Sequence, residues 1–189
     1  MAITAGRLQF GPGSGRLLLF TRRQGIGSKV GHDLTIEVTD WSAQVDLAAD
    51  PTAAATVNAE FGLGSLAVRE GKGGVRPLTE QDRREIEANA RRSLGVDRYP
   101  TATFESREVA RGVDGGTVTG TLTVGGRPAP IVVRVSELAP DRYCGTATVT
   151  QSAHGIKPYS AFLGALKLRD EVEVEIEVDL TAAERVDLP

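Results

Sequence analysis

Two histidines, one cysteine and 25 Asp and Glu are the residues from which acid–base, metal or thiol chemistry would have to be assembled. His32 stands directly before Asp33, in the run Val30-Gly31-His32-Asp33-Leu34. A histidine with a carboxylate is raw material for general acid–base catalysis. Consecutive strand residues point to opposite faces, however, so adjacency alone makes no dyad. The expected roles are a His32 that bonds a loop carbonyl and an Asp33 that closes a turn, with His32 also a candidate for orienting a ligand. His154 precedes Gly155 in an expected turn and receives no role. Cys144 is alone, which excludes an intramolecular disulfide and argues against a cysteine-based metal site. With only His32 and His154 to draw on, a histidine metal site would depend on distant carboxylates. The phosphate-cradling GxxxxGK[ST] loop, a GxGxxG between strand and helix, and a GxSxG elbow are all missing. The expectation is a non-enzymatic protein with no cofactor and no metal.

Binding is the alternative to catalysis, and the apolar residues bear on it. Only 5% of residues are aromatic, while 22 are glycine. Net charge is −3, against the clustered basic excess that phosphate neutralisation requires, so no nucleic-acid partner is expected. The densest apolar stretch is Gly155–Leu168, which holds Tyr159, Phe162, Leu163, Leu166 and Leu168. Such a stretch can plug a barrel end, form a contact between two copies, or make the wall of a ligand pocket.

The elements that would position these residues follow from periodicity. In Glu171–Leu180, Val172, Val174, Ile176, Val178 and Leu180 alternate with five acids. A period of two places the aliphatic residues on one strand face and the acids on the other, which reads as solvated. The same alternation runs through Leu34–Val38, Gln44–Leu47, Val57–Phe61, Thr117–Val124, Ile131–Val135 and Thr146–Thr150. Turn signals separate the runs at Ala49-Asp50-Pro51, Asp114-Gly115-Gly116, Gly125–Pro128 and Ala139-Pro140-Asp141. Many short strands with this punctuation predict a β-barrel or sandwich. One segment differs. In Thr79–Leu94, Ile86, Ala90 and Leu94 recur every four residues, predicting a solvated amphipathic helix packed across or beside the sheet. Thr79 is its N-cap with Asp82 three residues on, and Gly95 ends it. The stretch Glu70–Pro77 reads as a flexible loop leading into that helix. The whole chain, residues 1–189 with a core at about 6–180, is expected to be a single domain.

Taken together, several pieces resemble the YceI-like family of polyisoprenoid-binding proteins. They are Val30-Gly31-His32-Asp33-Leu34 followed by Trp41, and Tyr99–Ser106 with its Y-P-x-A-x-F pattern. With them go Val118–Gly126 and the passage from Gly155-Ile156 into Leu168–Val172. The resemblance implies a mainly β fold: an extended antiparallel, lipocalin-like β-barrel with one helix, around an elongated apolar ligand. Small inward residues such as Ala59, Ala102, Gly120 and Ala147 would leave a lumen. On that reading Phe61, Phe104, Tyr159, Phe162 and Leu166 are the candidate pocket walls, and His32 and Arg23 the candidate head-group contacts. The partner expected is a lipid-like, isoprenoid molecule. Two rivals are a filled barrel that dimerises through residues 159–168, and a His32-dependent enzyme acting on a lipid-like substrate. The start of the chain shows no basic, then apolar leader and no run long enough to span a bilayer, which reads as cytoplasmic.

Overall fold

The computed structural model describes residues 6–47, 55–112 and 115–186. Strands β1 (Gly6–Phe10), β2 (Gly15–Thr21), β3 (Arg23–Gln24) and β4 (His32–Val38) open the chain. They are followed by β5 (Trp41–Leu47), β6 (Thr56–Gly62), β7 (Leu66–Gly73) and the helix α1 (Glu80–Leu94). Then come β8 (Thr101–Gly112), β9 (Gly115–Val124), β10 (Arg127–Ala139) and β11 (Arg142–Thr150). Two short strands, β12 (Ser160–Ala161) and β13 (Leu166–Leu168), lead into β14 (Glu171–Asp179) and β15 (Glu184–Val186). The turn expected at Ala49–Pro51, and Asp114 of the next one, lie outside the described residues.

Twelve strands form one antiparallel sheet in the order β15-β1-β5-β6-β8-β9-β10-β11-β14-β2-β4-β7. The sheet curls into a lipocalin-like half-barrel, so the mainly β fold read from the sequence is the fold of the chain. Its register explains the alternation. Gly145 of β11 stands opposite Ile176 of β14, Ile176 opposite Leu17 of β2, and Leu17 opposite Val38 of β4. Such rows repeat along the strands and put the aliphatic side of every strand on the concave face. The acids of β14 face outward. β3, β12 and β13 form a separate three-stranded sheet at one end, built by pairing Leu168 with Arg23 and Ala161 with Leu166.

The two edges of the large sheet, β15 and β7, are not paired with each other. Helix α1 lies along β7 and takes the place of a neighbour strand. Glu87 Oε1 accepts the Val68 N–H at 2.9 Å, and Arg83 Nη1 donates to the carbonyls of Val68 and Arg69, each at 2.9 Å. Arg91 Nε donates to the Gly64 carbonyl at 3.2 Å. The helix is solvated and packs beside the sheet as its spacing predicts, and these charged side chains also pair with backbone groups that an open edge would leave exposed. The helix itself starts on a complete capping box. The Thr79 side chain accepts the Asp82 N–H, and the Asp82 carboxylate accepts the Thr79 N–H. It ends at Gly95 in the left-handed conformation, φ 65°.

The expectation of a loop over Glu70–Pro77 is corrected. β7 continues through Gly73, because Gly71, Lys72 and Gly73 pair with Leu34, Asp33 and His32. Only the remainder of that stretch connects strand to helix.

Two outcomes follow. A Cβ on Gly120 would lie 2.6 Å from Phe104 Cε2 and 2.4 Å from the Glu105 carbonyl oxygen. Gly120→Ala should therefore lower stability by about 1–3 kcal/mol in denaturant titration, as overpacking does. The Asp82 carboxyl is held far below the usual carboxylate range by the Thr79 N–H and the Arg76 guanidinium. A depressed folded value means this contribution is full above the unfolded value and is lost as pH falls through the folded one. Asp82→Asn, which removes the charge that the Thr79 N–H and Arg76 hold, should lower Tm at neutral pH by about 2–4 °C. At strongly acid pH that difference should shrink.

Candidate functional site

The concave face encloses an elongated cavity of about 820 Å³. Val172, Val174, Ile176 and Val178 all line it, so along β14 it runs for six residue steps, roughly 20 Å. Beside β14 the wall continues with Leu17 and Leu19 of β2 and Ile36 of β4, and farther round the sheet Val118 of β9 lines it. Helix α1 closes the side next to β7 with Ile86, Ala90 and Leu94, the same face the four-residue spacing singles out. The size lies in the upper part of the roughly 300–1,000 Å³ range of small-molecule sites.

Polar groups are confined to the ends and to the helix. At the end near the β3–β12–β13 sheet stand Thr21, His32, Gln151 and Tyr159; at the other end stand Arg111, Glu137 and Tyr143. His32 Nε2 lies 2.8 Å from the Arg76 carbonyl. A carbonyl only accepts, so Nε2–H is the donor. Asp33, on the other face of β4, accepts the Arg23 N–H at 2.8 Å and does not meet the imidazole. Thr21 is buried, and its hydroxyl has no hydrogen-bond partner among the described residues. Burial pushes the Tyr143 phenol up, with Glu137 and Asp141 adding to the shift.

Of the residues picked out by sequence, Phe61, Phe104, Tyr159, Leu166 and His32 all line the cavity. Phe104 also packs over Gly120, so the space that glycine was expected to leave open is filled by the ring. Arg23 stands behind the wall. Its guanidinium bonds the Gly31 carbonyl and lies 3.9 Å from Asp33. It packs where a Cβ on Gly73 (φ 84°) would sit, 2.1 Å from its Nη1. The side chain of Phe162 lies outside the described part of the structure. The stretch Tyr159–Leu168 is a hairpin of β12 and β13 whose Tyr159, Leu166 and Leu168 close one end of the cavity. Sequence reasoning left out the contribution of β2, where Leu17, Leu19 and Thr21 face inward. The alternation is hidden there because Leu18 and Phe20 between them are apolar too.

Among the described residues no three His, Cys, Asp or Glu are grouped as metal ligands would be. The Cys144 thiol is pushed up by burial, with Glu175 and Glu177 adding, which works against thiolate formation. His154 is buried, and its Nδ1 pairs with the Arg127 carbonyl at 2.9 Å, far along the chain from His32.

The sequence profile of the YceI-like domain matches residues 19–180. The chain belongs to the YceI-like family. Solved structures agree on the fold. BcnA of Burkholderia cenocepacia superposes with a TM-score of 0.61 at 18% identity, covering 87% of this chain and 94% of that one. A YceI protein of Campylobacter jejuni gives 0.56 at 16% identity, covering 81% and 85%. No curated protein matches the chain by sequence. No helix among the described residues is long and apolar enough to cross a membrane.

The cavity makes a prediction of its own. Val174→Trp projects an indole from the middle of β14 into the lumen. In a hollow barrel the variant folds and loses only a few degrees of Tm, at about 2–4 °C per kcal/mol. Failure to fold on circular dichroism would mean the space is filled.

Proposed function

We propose that this chain is a non-enzymatic, single-domain carrier that holds a chain-like apolar molecule of the polyisoprenoid kind in its barrel. The observation that carries the reading is the elongated aliphatic cavity, about 820 Å³ in volume and walled by strands and helix. Leaving a void in a folded protein costs stability at about 24 cal/mol per Å³, so one this size left dry would cost about 20 kcal/mol. That exceeds the roughly 5–15 kcal/mol by which a whole domain is stable. The space therefore holds either water against an aliphatic wall or an apolar molecule. Each Å² of apolar surface that a guest covers favours it by roughly 25 cal/mol. A flexible hydrocarbon chain fits a lumen roughly 20 Å long better than a flat ring system does. Thr21, His32 and Tyr159 supply polar atoms for a head group at one end, while Arg23 fixes the loop behind them. Family membership supports the carrier reading over the His32-dependent enzyme, whose histidine is bonded to a loop carbonyl rather than paired with Asp33.

Uptake of a polarity-sensitive fluorophore such as N-phenyl-1-naphthylamine tests this directly. The expected result is saturable, near-stoichiometric enhancement that a long-chain polyprenol displaces and that Val174→Trp weakens at least about tenfold. Enhancement without saturation, or unaffected by Val174→Trp, would contradict the proposal.

A further inference from the structure

We infer that the end of the barrel formed by residues 22–31, 71–77 and 155–169 docks on an anionic membrane surface. The inference builds on the carrier reading, since docking would bring the mouth of the cavity against the bilayer. The three segments are physically joined. Gly27 N–H donates to the Ala165 carbonyl at 2.9 Å, and Leu168 pairs with Arg23. His32, which follows the first segment, pairs across the strands with Gly73 of the second.

Two independent features meet there. The first is apolar. Ile26 and Leu163 are fully exposed and Val75 is 79% exposed, each at the tip of its segment. Leu163 is held at φ 55°, an unusual conformation for a branched residue, with its side chain directed into solvent. Val30 and Tyr159 are about half exposed and also line the cavity, which marks where it opens. Single exposed aliphatic residues are ordinary, but three at the tips of loops around one opening form a patch.

The second feature is charge. Residues 22–31 carry three Lys or Arg, residues 71–77 two and residues 155–169 three, with no Asp or Glu in any of them. This happens in a chain of net charge −3. Arg22, Arg23, Lys72 and Arg76 lie within 4 Å of Glu173, Asp33, Glu70 and Asp82 respectively. Lys29, Lys157, Lys167 and Arg169 have no such partner among the described residues. Aliphatic tips ringed by unpaired ammonium and guanidinium groups match the interface of a bilayer containing anionic lipid. A purely acidic protein partner would use the charges but leave the tips without a place. The outward acid face of β14 would be repelled from the same surface, which favours a mouth-down orientation.

Co-sedimentation with vesicles tests this, comparing phosphatidylcholine alone with the same lipid plus about 30 mol% phosphatidylglycerol. The protein should bind the anionic vesicles and release at about 1 M salt. Ile26→Asp with Leu163→Asp should weaken binding at least about tenfold. Lys29→Glu or Lys167→Glu should weaken it about fivefold per substitution. These side chains are at the surface, so the thermal midpoint and fluorophore uptake should stay unchanged. No binding to either vesicle, or equal binding by the aspartate pair, would overturn the inference. So would binding to poly-glutamate as tight as to vesicles and indifferent to the aspartate pair, which would assign the surface to an acidic polypeptide. Vesicle binding in a protein that takes up no fluorophore would support docking and count against the carrier reading alone.

Discussion

A sheet that curls around a space without closing leaves two edge strands, here the three-residue β15 and the longer β7, and the architecture turns on how β7 is satisfied. Each unpaired N–H or C=O away from water is costly, and a bare edge invites pairing with another chain. The chain answers with α1, whose Arg83, Glu87 and Arg91 bond the backbone of β7 and of the turn before it. The same helix turns Ile86, Ala90 and Leu94 toward the lumen. Edge protection and closure of the cavity are thus one arrangement. The capping box at Thr79 and the glycine at 95 set where that helix begins and ends.

Once the edge is held, strand parity determines the rest. The strands of the large sheet other than β15 present aliphatic side chains inward, and their modest size keeps the walls apart along β14. Phe104 shows how bulk is handled: its ring lies across Gly120 on the neighbouring strand instead of projecting into the middle. A wall built of Val, Ile, Leu and Ala has few directional demands, so a guest held there would be chosen by shape and apolarity, with polar discrimination left to the ends. The glycines near the β7 end serve the same purpose. Gly73 leaves room for the Arg23 guanidinium, which ties β3 to the strand entering the sheet at His32.

Much of this was legible in sequence because period-two alternation translates directly into two faces. The strands at Leu34–Val38, Thr117–Val124 and Glu171–Leu180 emerge from that pattern, and the helix from Ile86, Ala90 and Leu94. What was hidden depended on partners far away in the chain. The run Leu17–Phe20 is apolar on both faces, so its inward parity emerges only from pairing with β14 and β4. The strand at Glu70–Gly73 is polar and glycine-rich, and only its pairing with His32–Leu34 makes it a strand. Arg23 and His32 are both head-group candidates from the sequence, yet the structure puts His32 in the wall and Arg23 behind it. The polar service of Arg83 and Glu87 could not be read at all, since a solvated helix and one that guards a sheet edge share the same composition.

The central claim is that the space between these walls is occupied by an apolar guest. Native mass spectrometry of the purified protein, followed by organic extraction, tests it most directly. The account predicts a population heavier than the 20.0 kDa chain by the mass of one lipid-like molecule, which extraction removes and recovers. Repeated observation of the bare chain, with no lipid in the extract and no mass gained on adding a polyprenol, would contradict it.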